Sequence, residues 1–242
     1  MHTIAVIPAR LASSRLPEKV IRILAGKPLV QHVFEKAKEA QLIDAVFIAT
    51  DNEKVEKVVK GFTENVIMTS PDHASGTDRI AEVIQKFTCI NVLNVQGDEP
   101  LIDPHLLDEL VAALNASGTE MVSAMTPFSE SENVQNPNMV KVVTDRENNA
   151  LYFSRAPIPY DRDASGDGQY FRHLGVYGYK RDTLLKLCRL ETVMPEKTEK
   201  LEQLRALYHG IKIKMIPTNY AGIGIDTEED LKNLENILNN GN

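Results

Sequence analysis

Several features that would decide a function quickly are missing from this sequence. Cysteine is scarce. Cys89 and Cys188 sit in apolar segments with no second Cys or His at ligand spacing, so both read as buried thiols and neither a disulfide nor zinc is expected. No apolar run approaches the length that crosses a bilayer, which argues against membrane insertion. The opening, Met1 to Pro8, lacks the basic start and long apolar stretch of a signal peptide and reads as a first core strand, so a cytoplasmic setting is expected. Nor is there a dense Lys/Arg block, and at a net charge of -7 nucleic acid is not an expected partner, because phosphate contacts dominate that affinity. The Gly-Lys-Ser/Thr of a Walker loop, a dinucleotide fingerprint, internal repeats and low-complexity tracts are also lacking.

What remains is ordinary soluble-protein material with a clear rhythm. At 242 residues, 43% hydrophobic and 25% charged, the chain fits one large domain, with residues 120–190 as a substrate-binding or dimerisation insertion. Thr3 to Ile7, Ala45 to Ala49, Asn65 to Met68 and Asn91 to Val95 read as buried strands. Pro28 to Ala40, Asn52 to Lys60, Thr77 to Phe87 and Pro104 to Leu114 alternate with them as helices. That order predicts an α/β fold with a mostly parallel central sheet, helices on both faces, and ligands outside the carboxyl ends of the strands. After Glu120 the pattern changes. Met139 to Thr144 and Ala150 to Ser154 flank a hairpin turn, Asp161 to Gln169 is a polar loop, and Leu174 to Lys180 is a strand before a helix. From Glu199 the chain closes as helix, strand, helix, with Glu202 and Gln203 adjacent on the first of these.

Three clusters carry candidate chemistry. The loop from Pro8 to Lys19 packs Arg10, Arg15 and Lys19 with Ser13 and Ser14, directly after the first strand. Arg forks, a Lys point charge and hydroxyls suit phosphate oxygens, and a solvated basic loop is the alternative. Asn94 to Pro100 is a strand ending in Gly97, Asp98 and Glu99, which could hold Mg²⁺ against substrate phosphates or simply close a turn. Gly224 to Leu231 offers Asp226 as a second ligand, with Thr227 as the helix cap.

Taken together these segments resemble the sugar-activating cytidylyltransferases, and specifically the CMP-Kdo synthetase family, Kdo being 3-deoxy-manno-octulosonate. Ile7-Pro8-Ala9-Arg10 with Ser13-Ser14-Arg15-Leu16-Pro17 and Lys19 resembles the family's opening loop, Ser75 to Arg79 its base-binding segment and Val95 to Pro100 its metal strand. Leu151 to Arg155, His173 to Tyr179 and Leu201 to Arg205 resemble the Kdo branch. The resemblance implies a nucleotide-diphosphosugar transferase-like fold, a homodimer formed through the middle region, and CTP and Kdo as substrates. It also implies catalysis without a covalent enzyme intermediate, for lipopolysaccharide synthesis. Carried over by position, Arg10, Ser13, Arg15 and Lys19 bind the triphosphate, and Pro8, Ala9, Gly76 and Arg79 surround the cytidine. Asp98 and Asp226 hold Mg²⁺. Gln96, Arg155, His173, Tyr177, Glu202 and Gln203 line the sugar pocket, with Gln96 also beside the nucleotide. One departure is visible, since Glu18 stands where the family has glycine. The rival readings are a CMP-sialic acid or 8-amino-Kdo cytidylyltransferase, or a non-catalytic nucleotide-sugar binding domain.

Overall fold

The computed structural model describes residues 1–12, 16–73, 75–163, 168–222 and 224–240. Two compact units emerge, one of Met1–Asp108 with Gly222–Asn242, the other of Glu109–Ala221.

In the first unit, β1 (Thr3–Pro8) is followed by a short hairpin of β2 (Ile23–Leu24) and β3 (Lys27–Pro28), then α1 (Leu29–Glu39). Three further strands, β4 (Ala45–Thr50), β5 (Val66–Met68) and β6 (Asn91–Asn94), alternate with α2 (Glu53–Val59) and α3 (Gly76–Ile84) before α4 (Pro104–Asn115), in which the unit ends. The strands lie in the order β6, β1, β4, β5, every pair parallel. Ile4, Ala5, Val6 and Ile7 are all fully buried. Successive side chains point to opposite faces, so both faces of β1 are covered, as a parallel sheet requires. α1 and α3 pack on β1, and α1 and α2 on β4. Local chemistry starts the helices: Asn52 Oδ1 accepts from the Lys54 amide at 2.9 Å, and Ser75 and Asp78 cap one another's backbone at 3.2 and 3.1 Å. The expected strand and helix positions therefore stand, with ends moved by one to three residues.

The second unit is mixed. It contains β7 (Met121–Pro127), β8 (Lys141–Thr144), β9 (Ala150–Ser154), β10 (Phe171–Lys180), α5 (Arg181–Leu187), α6 (Met194–Glu199), α7 (Gln203–Tyr208) and β11 (Ile213–Pro217). β11 runs parallel to β7, while β7–β10, β10–β8 and β8–β9 are antiparallel, with a bulge in β10 between Leu174 and Tyr177. The Asp145–Asn149 turn forms as expected. Asp145 Oδ1 takes the amides of Glu147 and Asn149, both at 2.8 Å, and Asn148 adopts a φ of 59°. One expectation is corrected: Lys200, at φ 54°, ends α6, and α7 begins only at Gln203. Glu202 and Gln203 therefore lie at a break between two short helices, not within one, and Glu202 is the cap position. The last helix, α8 (Glu228–Asn240), returns to the first unit, where Leu231 and Leu234 pack with Leu16, Leu24, Leu29 and Ile225.

Candidate active site

That apolar cluster matters for the chemistry, because it fastens two loops beside each other. Leu16 anchors the segment carrying Lys19, and Ile225 immediately precedes Asp226. A backbone bond from the Ile225 amide to the Asp98 carbonyl, 2.9 Å, draws in the third partner. Thr227 and Asp230 close a reciprocal cap, with the Thr227 amide 2.8 Å from Asp230 Oδ2 and the Asp230 amide 3.1 Å from Thr227 Oγ1. Thr227 is thus the cap, as expected, and Asp226 is left to face Lys19.

The result is a charge cluster built from residues 79 and 207 positions apart in the chain. Lys19 Nζ donates to Asp98 Oδ2 at 2.5 Å and to Asp226 Oδ1 at 3.0 Å. The lysine side chain is only 12% exposed. Burial by itself would lower the Lys19 pKa, but the two carboxylates outweigh it, and the ammonium is held above its ordinary value. Two carboxylates converging on one point are a donor set that fits a divalent cation. Among the described residues no group of three or more His, Cys, Asp or Glu could hold a metal, so Mg²⁺ here would complete its shell with phosphate oxygens and water.

Lys19 and Asp98 also line a cavity of about 270 Å³, together with Pro8, Arg10, Gly76 and Gln96. Ala12, Val20 and Gly97 complete its wall; Ala12 and Gly97 fall within the expected loop and metal-strand clusters, whereas Val20 was given no part. The two glycines are there for space. A Cβ on Gly97 would stand 3.1 Å from the Pro8 carbonyl oxygen, and one on Gly76 would press on the Pro8 ring at 3.4 Å. Arg10 is steadied by the His73 carbonyl, 3.0 Å from its Nη2, and Gln96 by Asn94 Oδ1 at 3.1 Å. Ser13 and Arg15 lie outside the described residues. Glu18, immediately before Lys19, has φ 58° and ψ 25°, a left-handed conformation that glycine adopts without strain. Its carboxylate pairs with Lys54 Nζ, 2.6 Å from each oxygen.

Two expected cytidine contacts, Ala9 and Arg79, are not among the residues that line the cavity. Ala9 is fully buried, its amide bonded to the Ala49 carbonyl at 2.8 Å. Arg79 is fully buried too, and its guanidinium reaches Asp51 Oδ2 at 2.6 Å and the Thr69 hydroxyl. It ties the ends of β4 and β5 together, and among the protein's side chains that is its visible task.

In the second unit the expected sugar residues divide. His173 Nε2 lies 2.9 Å from Ser123 Oγ, whose own proton is directed at the Val176 carbonyl, 2.8 Å away across the β10 bulge. Donation from Nε2–H to Ser123 fixes the tautomer. Its ring stands edge-on to Phe153, with centroids 4.9 Å apart, and 5.3 Å from Tyr177. Burial lowers the His173 pKa to about 3, so the imidazole is neutral at physiological pH. Burial, and then the Glu202 carboxylate, push the Tyr177 phenol upward. Gln203 is 4% exposed, and its buried Nε2 has no hydrogen-bond acceptor among the described residues.

Arg155 is bound differently. Its Nε donates to the Glu199 carbonyl at 2.7 Å and its Nη1 to that of Pro137 at 2.8 Å, with the Lys200 carbonyl 3.4 Å from Nη2. Its guanidinium thus braces the chain, alongside Lys141, which is fully buried and donates to the Asn136 and Arg155 carbonyls at 3.0 and 2.6 Å. Lys141, Ser123 and Glu199 were not singled out from sequence; a lysine inside an apolar strand is the one signal that could have marked the first of them.

Comparison with known proteins places the chain in a family. The family model described as Cytidylyltransferase matches residues 4–213. The 3-deoxy-manno-octulosonate cytidylyltransferase of Syntrophotalea carbinolica is 46% identical, with 97% of this chain and 98% of that one covered. Its counterpart from Solibacter usitatus is 44% identical, over 97% and 94% of the two chains. Among solved structures, CMP:2-keto-3-deoxy-manno-octonic acid synthetase complexed with CTP matches with a TM-score of 0.95 at 39% identity, covering 100% of both chains.

Proposed function

This chain belongs to the cytidylyltransferase family, and on that premise we infer that it transfers CMP from CTP to Kdo, forming CMP-Kdo and pyrophosphate. The observation that carries the reading is the convergence of Lys19, Asp98 and Asp226 at a cavity that also presents Arg10 and Gln96. The relatives' printed activity and the CTP complex of the structural neighbour supply the substrates.

In the reaction the anomeric hydroxyl oxygen of the sugar attacks the α-phosphorus in line. The bond to the bridging oxygen breaks, and that oxygen leaves with its electron pair on pyrophosphate. Mg²⁺ bound by Asp98 and Asp226 would neutralise phosphate charge and favour loss of the attacking hydroxyl's proton. Arg10 and Lys19 bring cations to the leaving phosphates, where charge accumulates. Burial keeps His173 neutral at neutral pH and its Nε2 is engaged by Ser123, so no general-acid role is assigned to it. Gln203 brings a buried amide whose Nε2 has no acceptor among the described residues, the kind of donor a sugar hydroxyl satisfies.

The same reading includes a homodimer formed through the second unit, where Leu151, Tyr152, Tyr160, Met194 and Tyr208 are exposed. Lipopolysaccharide synthesis in the cytoplasm is the setting that the Kdo product implies. The test is Mg²⁺-dependent pyrophosphate release from CTP with Kdo, 8-amino-Kdo and N-acetylneuraminate in parallel. We expect kcat/KM for Kdo to exceed that for N-acetylneuraminate by at least about a hundredfold, the scale of lost matched polar contacts. Equal activity with the nine-carbon acid would replace the sugar assignment, and no release with any acid would leave a nucleotide-sugar binding domain.

A further inference from the structure

Lys19 does not stand apart as a phosphate ligand waiting in a cavity. Its ammonium sits between the two carboxylates suited to a metal ion, 2.5 Å from one and 3.0 Å from the other. Two carboxylates held side by side repel unless a cation lies between them. The backbones that bring them together are fixed. Val20, next to Lys19, is buried; Gly97, next to Asp98, lies against the Pro8 carbonyl; and the Ile225 amide is bonded to the Asp98 carbonyl. Lys19 alone of the three has a long flexible side chain, four rotatable bonds from its Cα to the charge. Since Lys19 and Asp98 line the same cavity as Arg10, a displaced ammonium has somewhere to go within that chain's reach.

We propose that Lys19 is a resident counter-ion that keeps Asp98 and Asp226 paired before a divalent cation arrives, and that metal binding ejects its ammonium toward the nucleotide phosphates. The inference rests on reading Asp98 and Asp226 as the metal ligands. Metal loading and phosphate capture are then coupled. A metal ion entering alone must displace an ammonium that has no new partner, whereas CTP offers that partner, and the coupling is reciprocal.

The test measures binding, not turnover. Mn²⁺ titrations followed by electron paramagnetic resonance, without and with CTP, compare the wild type with Lys19→Met and Asp98→Asn. Without nucleotide, Lys19→Met should bind Mn²⁺ at least about tenfold more tightly than the wild type, and CTP should tighten Mn²⁺ binding less in the variant. Asp98→Asn should weaken binding. Should Lys19→Met fold poorly, ¹³C-lysine NMR of the wild type gives the same answer, with Lys19 assigned through Lys19→Arg: its Cε resonance should move on Mg²⁺ addition and stay fixed in Asp98→Asn. Equal or weaker Mn²⁺ binding by Lys19→Met, or a stationary Lys19 resonance while Mg²⁺ binds, overturns the counter-ion role and leaves the metal reading intact. Mn²⁺ binding that ignores Asp98→Asn overturns both.

Discussion

In the first unit Lys19 meets two side-chain carboxylates beside a cavity, whereas in the second unit Lys141 meets the backbone carbonyls of Asn136 and Arg155. The contrast extends to the arginines. Arg10 lines the cavity and donates to the His73 carbonyl, while Arg155 places its guanidinium against the carbonyls of Pro137, Glu199 and Lys200. A side-chain carboxylate can turn to a metal ion or release its partner to a phosphate. A backbone carbonyl inside a fold cannot, so a cation held by several of them, as Lys141 and Arg155 are, serves stability. Arg10, with a carbonyl partner too, differs in lining the cavity, so acceptor and cavity together tell the two uses apart.

The strongest challenge to this contrast is removal of the exchangeable carboxylates. Asp98→Asn and Asp226→Asn should each lower kcat by at least about a hundredfold with thermal unfolding little changed, measured by pyrophosphate release and calorimetry. Near-normal turnover at saturating Mg²⁺ would remove that residue from the metal site. Lys141→Met should do the reverse, lowering unfolding free energy by about 2 kcal/mol in urea titrations, because it strands two carbonyls. Lost activity without lost stability would place Lys141 among the functional cations.

A third measurement addresses the buried imidazole. The folded-state pKa of His173 is lowered from 6.5 to about 3, so between those values the unfolded chain holds a proton that the native one does not. Its contribution to stability is therefore present above pH 6.5 and is lost as pH falls toward 3, at up to about 1.4 kcal/mol per pH unit. His173→Gln should flatten that part of the stability profile; an unchanged slope would mean the ring protonates freely. The smallest effect belongs to Glu18→Gly, which relieves a left-handed residue but gives up an exposed ion pair with Lys54. The first term is about 1 kcal/mol and the second less, so the variant should gain up to about 1 kcal/mol. A loss would show that the Lys54 pair is worth more than the strain.

The alternation of β-branched runs with amphipathic stretches made β1, β4, β5 and β6 legible, since buried parallel strands are apolar throughout. β7, MVSAMTP, was not assigned: its Met, Ser and Ala carry little strand preference, and its identity comes from pairing with β10 and β11. The break after α6 was equally hidden, because the left-handed position is filled by Lys200 and not by glycine. At the site, Asp98, Asp226 and Lys19 stood out as charges at loop positions after strands or before a helix. Their shared contact did not, being a product of the Leu16–Ile225 cluster and the Ile225–Asp98 backbone bond. Arg79 shows the opposite limit, a motif residue whose burial against Asp51 and Thr69 no local pattern announces.

The central claim is that charges of the first unit carry the phosphoryl chemistry while polar groups of the second select the sugar. Steady-state kinetics of Gln203→Leu, with CTP and Kdo each varied, test it most directly. The buried Gln203 Nε2 has no acceptor among the described residues, so the account predicts a Kdo KM raised at least about tenfold, with the CTP KM and kcat within about twofold of wild type. An equal rise in the CTP KM, or an unchanged Kdo KM in a folded variant, would contradict it.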